Sequence, residues 1–191
     1  MVTFMNGKSY ALQLQQPVWL ATLTAASVAF SLGFACAVPL AAFAALGALT
    51  LDRRTALSFI AIVVLTNQVV GFTVLHYPRD PETIAWGAIF LFVGLLSTVS
   101  ALWVKERCAR ANAAVVMAAT FVVAFIVYEG SFFLASFASG SGLYAYAPKV
   151  MLRIFEVNVF AFAGLFLLDR TSAVLLPDRN AKISVSHRAA S

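Results

Sequence analysis

Three ionisable residues stand inside apolar stretches of this chain: Glu129, Arg153 and Glu156. A charged side chain at mid-membrane costs about 2.5–3.5 kcal/mol on insertion scales, so it normally faces a cavity or a partner. Arg153 lies one helical turn before Glu156 and shares a face with Lys149 and Phe160. Asn67 and Gln68 sit near the end of another apolar run, His76 and Tyr77 follow it, and Trp86 opens the next. Acid, guanidinium and amide groups can fix the polar parts of a small solute, and flat rings can cover its apolar parts. His76 adds an imidazole, a ligand for a metal, including one carried inside a cofactor. A plainer reading also fits. Arg153 and Glu156 would form an intrahelical ion pair, Glu129 would bond a tyrosine or Arg153, and all would serve as interhelical glue. Asn158 falls on a different face from Glu156, which directs it to a neighbouring helix.

These residues must be positioned by membrane helices. The chain has 191 residues, of which 62% are hydrophobic and 11% charged. A soluble domain of this length needs a far more polar surface. The net charge of +5 does not indicate a nucleic-acid partner, because the basic residues form short scattered clusters and no single patch. A span takes about 20 apolar residues. The run over 17–51 is too long for one crossing, and Pro39 divides it into 17–37 and a short 39–51. The short piece implies tilt or a locally thinned bilayer. Further spans are expected over 55–76, 82–104, 111–137 and 149–168. Asp80 is the expected N-cap of the fourth, with Pro81 at its first helical position. The fold class is therefore an all-α six-helix transmembrane bundle over 1–176, with a polar tail over 177–191. Residues 8–37 carry a weak likeness to a signal peptide, with Ala35-Cys36-Ala37 as the cleavage-like site; retention as a span is the expectation. On this topology Cys36 and Cys108 fall at opposite faces, which argues against a disulfide between them.

Lysine and arginine set the orientation. With both termini cytoplasmic, ten basic residues lie inside: Lys8, Arg53, Arg54, Lys105, Arg107, Arg110, Arg170, Arg179, Lys182 and Arg188. Three lie outside: Arg79, Lys149 and Arg153. This is the positive-inside pattern of an inner (plasma) membrane protein. Trp19, Trp86 and Trp103 fall near span ends, as an aromatic belt requires. On this topology Glu129 lies roughly 12 Å below the outer end of its span. Asn67, Gln68, Trp86, Glu129, Arg153 and Glu156 all occupy the outer half, which implies a cavity open to the outside.

Ala21, Ala25, Ala29 and Gly33 recur every four residues along the first span. Small residues at this spacing admit a second helix backbone, either within the bundle or from a partner. Six spans, two cytoplasmic termini, an outward polar cavity and this stripe together resemble the substrate-binding S subunit of energy-coupling-factor (ECF) vitamin transporters. The resemblance covers most of the chain. It implies that the stripe contacts a transmembrane coupling subunit working with an ATPase, and that the substrate binds near the outer face. Thr66-Asn67-Gln68-Val69-Val70-Gly71-Phe72, followed by Leu75-His76-Tyr77-Pro78, is similar to solitary S-type proteins of cobalamin uptake. That similarity implies bound cobalamin as substrate, with His76 as axial cobalt ligand. No intrinsic cofactor is implied. The chain lacks a G-x-x-x-x-G-K-[ST] motif, so an ATP-driven step would come from a partner. It also lacks H-E-x-x-H, G-x-S-x-G and paired-aspartate motifs, so an enzyme is not expected. The expected function is uptake of a small vitamin-like or metal-containing solute. The alternative is a structural or assembly subunit that uses the alanine stripe.

Overall fold

The computed structural model describes residues 38–140 and 146–175, with side chains to 169. Five helices occupy these residues: α1 (Leu40–Thr50), α2 (Arg53–Thr73), α3 (Pro81–Arg107), α4 (Ala113–Ser139) and α5 (Pro148–Leu175). No strand occurs among the described residues. Five of the six expected helices are therefore present. The sixth, over 17–37, lies outside the described residues, as do Trp19, the stripe Ala21, Ala25, Ala29 and Gly33, Cys36 and the tail. Helices α2 to α5 are long and apolar enough to cross a membrane. Only 28–39% of their most apolar windows is buried inside the bundle. Phe92, Leu96, Leu134 and Phe160 stand exposed, an inside-out pattern suited to lipid.

Local chemistry sets the helix ends. Asp52 accepts the backbone N–H groups of Arg54 and Thr55, each at 3.1 Å, and the Thr55 hydroxyl. Asp80 accepts the Thr83 N–H at 2.7 Å, with Pro81 at the first helical position, as its sequence implies. Asn112 accepts the Ala114 N–H at 2.9 Å. At the other end of α4, Gly140 takes φ +67°, the left-handed turn that glycine adopts without steric cost.

The long helices alternate in direction. Ring contacts pair Phe90 of α3 with Phe132 of α4, and Phe121 of α4 with Phe162 of α5. One end of the bundle, the basic end, carries Arg53, Arg54, Lys105, Arg107 and Arg110. The other, the loop end, carries the 74–80 loop with Arg79, and the start of α5 with Lys149. Trp103 is exposed near the basic end, with the Arg107 guanidinium 5.1 Å from its ring centroid, in keeping with an interface anchor.

Helix α1 differs from the rest. Its 11 residues rise only about 16 Å, roughly half the hydrocarbon thickness of a bilayer. Leu40 to Ala48 are all buried, and the helix is apolar on every side, so it has no face for solvent. It packs against α2, α3, α4 and α5. Tilt or bilayer thinning is thus not needed to explain its length, because neighbouring helices enclose it. Pro39 occupies the N-cap and offers no side-chain cap. Asn158 of α5 supplies one instead: its Oδ1 accepts the Ala42 N–H at 3.2 Å, and its Nδ2 donates to the Ile154 carbonyl at 3.0 Å. This is the interhelical bond expected of Asn158. At the other end the carbonyls of Leu46 to Leu49 are met. Thr50 Oγ1 donates to Leu46 O at 2.8 Å, and the Leu51 N–H donates to Gly47 O at 2.9 Å. Lys105 Nζ of α3 donates to Ala48 O at 2.6 Å and to Leu49 O at 3.3 Å. A cation at a helix C-terminus also opposes the helix dipole favourably.

Two predictions follow from these ends. Asn158→Ala and Lys105→Met should each lower stability by about 1–3 kcal/mol, since each orphans buried backbone groups. Thermal unfolding in nanodiscs measures this; a loss no larger than that of exposed Thr73→Val would contradict it. The second concerns acid. The Thr83 backbone N–H bond, with help from the Thr83 hydroxyl, holds the Asp80 carboxyl below its ordinary value of 3.8. Its stabilisation is present above that value and is lost as pH falls through the lower folded one. The stability gap between the native chain and Asp80→Ala should therefore close on acidification, and a gap that widens would contradict the cap.

Candidate functional site

The loop end gathers most, but not all, of the expected residues. Glu129 is the buried one. It is 7% exposed, and its Oε1 has no hydrogen-bond partner among the described residues. Helical spacing puts Phe132 and Ser136 on the Glu129 side of α4, three and seven residues on. Phe132 is the hub of a ring cluster. Trp86 stacks on it at 6.5 Å, Phe90 tilts against it at 4.7 Å, and Tyr128 meets it edge-on at 5.1 Å. Further toward the loop end, the Ser136 and Tyr146 hydroxyls share a hydrogen bond of 3.3 Å. Toward the basic end, Phe121, Phe125, Phe155, Phe162 and Phe166 form a continuous chain of ring contacts between α4 and α5. Glu129 thus lies between a phenyl floor and an aromatic cluster.

Gln68 and Trp86 are brought to the same interface. A Cβ built on Gly87 would stand 2.9 Å from Gln68 Oε1, so the glycine admits the amide against α3 beside Trp86. Asn67 donates from Nδ2 to the Val63 carbonyl of its own helix at 2.8 Å. Tyr77 folds back over α2. Its N–H donates to Gly71 O at 3.0 Å, and its ring covers Gly71, where a Cβ would meet the ring at 2.6 Å. Phe72 contacts the same ring edge-on at 6.5 Å.

Three expected site residues stand apart from this buried cluster. Arg153 and Glu156 are both exposed on α5, so they do not converge with Glu129 in the interior. The i, i+3 spacing that places them on one face is compatible with the outer face as well as the inner, and spacing alone does not choose between them. His76 is also exposed, and its φ of 56° lies in the left-handed region. Histidine is among the few non-glycine residues enriched there. The chain reversal after α2 therefore explains this position without a metal. Among the described residues, no group of three His, Cys, Asp or Glu could hold a metal ion.

Phe90, Phe132 and the Ser136–Tyr146 pair were not singled out from the sequence. Their signal was available: Phe132 and Ser136 repeat the register of Glu129 along α4. A second feature was not anticipated. A cleft of about 760 Å³ opens at the basic end, between Leu49, Lys105, Met117, Phe166 and Asp169. It lies opposite the expected outward cavity.

The backbone role of His76 is testable. His76→Gly should keep the stability of the native chain, whereas His76→Val should lower it by about 1–2 kcal/mol, because a β-branched residue resists a left-handed backbone. Equal tolerance of both in thermal unfolding would contradict the assignment. Compared with known proteins, the chain matches no family model, no curated protein and no solved structure.

Proposed function

We propose that this chain is a membrane uptake protein that receives a small solute at its loop end. One observation carries the reading. Glu129 is a buried carboxylic acid with an oxygen that meets no partner among the described residues, and it shares a side of α4 with Phe132, the hub of a cluster of four aromatic rings. A purely structural carboxylate in a bundle is expected to have its hydrogen bonds met. An unmet one is held for a group that arrives. Glu129 would fix a polar group of the solute, Trp86 and Tyr77 would cover its flat surface, and Gln68 would supply an amide. Arg153 and Glu156, exposed on α5, would act where the solute first meets the protein.

In this reading the bundle has six spans, both termini are cytoplasmic and the loop end faces outward from the inner membrane. The basic residues at the opposite end support that orientation. The likeness to ECF S subunits adds an ATPase and a coupling subunit as partners, with cobalamin or another vitamin-like compound as solute. We propose binding rather than catalysis, since no nucleophile–base pair accompanies Glu129 among the described residues.

Native mass spectrometry of the purified protein in nanodiscs, with a visible spectrum, tests the proposal. A bound small solute is expected, with occupancy reduced about tenfold or more in Glu129→Gln and unchanged in Glu106→Ala at the basic end. A corrinoid spectrum would identify cobalamin. A solute retained equally by Glu129→Gln, or none from any source, would contradict the site.

A further inference from the structure

We infer that the solute taken at Glu129 is an organic cation: a protonated amine, amidinium or quaternary ammonium group on a flat apolar body. The inference rests on the uptake reading and names the chemical class of its solute.

A carboxyl group removed from water stays ionised only when an opposite charge or strong donors meet it, and otherwise takes up a proton. The described basic residues at the loop end are Arg79, Lys149 and Arg153, and all three are exposed. The remaining described ones, Arg53, Arg54, Lys105, Arg107 and Arg110, stand at the basic end, where Lys105 is engaged by the α1 carbonyls. No described basic side chain therefore meets Glu129, and Oε1 has no hydrogen-bond partner among the described residues. The complementary charge is left to the ligand.

The surroundings select the same class. Tyr128 adjoins Glu129 in sequence, and Phe132 follows one turn later with Trp86 and Phe90 against it. Aromatic faces carry negative potential and attract cations, tryptophan most strongly. A carboxylate beside such rings repels carboxylate and phosphate solutes. The amide of Gln68, seated at Gly87 beside Trp86, supplies a neutral acceptor for a second N–H group.

Two probes of matched size separate the outcomes: benzylamine hydrochloride and sodium benzoate, added to the full chain in nanodiscs at neutral pH. Benzylammonium should raise the melting temperature and change tryptophan fluorescence, and benzoate should do neither. Glu129→Gln should weaken benzylammonium binding about thirtyfold or more, the scale of removing one partner of a buried charge pair. Glu129→Asp, which keeps the charge, should restore part of it and guards against a misfolded glutamine variant. Trp86→Ala should weaken it about threefold to tenfold. Equal binding of benzoate, full binding by Glu129→Gln, or no response to benzylammonium would each overturn the inference. A co-purifying solute that is neutral or anionic, and is lost in Glu129→Gln, would overturn the cation alone and leave the uptake reading standing.

Discussion

The bundle depends on how α1 is held at its two ends. An apolar helix of 11 residues has little reason to stay where it is if its surroundings are equally apolar. Lipid tails are as oily as leucine, so burial among helices supplies no hydrophobic driving force in a bilayer. Packing and polar ties must do it. Asn158 reaches α1 from α5 and Lys105 reaches it from α3. These two side chains meet backbone groups that a short enclosed helix cannot satisfy by itself. Along α5, Asn158 and the cleft-lining Asp169 are separated by eleven residues, again about 16 Å. The spacing on α5 thus matches the length of the helix it supports.

This arrangement divides the molecule along its length. The basic end is occupied by the C-terminus of α1, its lysine cap and the loops rich in arginine. Between that end and Glu129, rings line the contact of α4 with α5. Those rings isolate Glu129 from the basic end. They also remove water, which makes any charge met there more consequential. The neighbouring loop is pinned by Tyr77 lying on Gly71, so the chain reversal after α2 is a packed element and not a loose connection.

The sequence made the long helices legible because their signals are redundant. Apolar length, Asp80 as a cap and the basic clusters between apolar runs all point to the same long helices. Pro39 correctly marked the start of α1, yet its composition could not show whether lipid or protein surrounded it. Residues that are apolar on all faces read the same way in either case. The polar site was legible only in part. Glu129 was found because a carboxylate in an apolar run is conspicuous. Arg153 and Glu156 were equally conspicuous, but helical spacing fixes which residues share a face and not which way that face turns. The left-handed backbone of His76 leaves no sign in the sequence. Lys105 looked like an ordinary positive-inside residue, and its reach to the α1 carbonyls required the fold.

Hydrogen exchange over Leu40–Thr50, measured by mass spectrometry on the full chain in nanodiscs, tests the central claim most directly. A helix of three turns fastened at both ends should exchange as slowly as the interiors of α3 and α4, and it should do so up to its terminal residues. Exchange of that segment at the rate of the 74–80 loop would mean that Asn158 and Lys105 do not hold it, and the account built on α1 would fail.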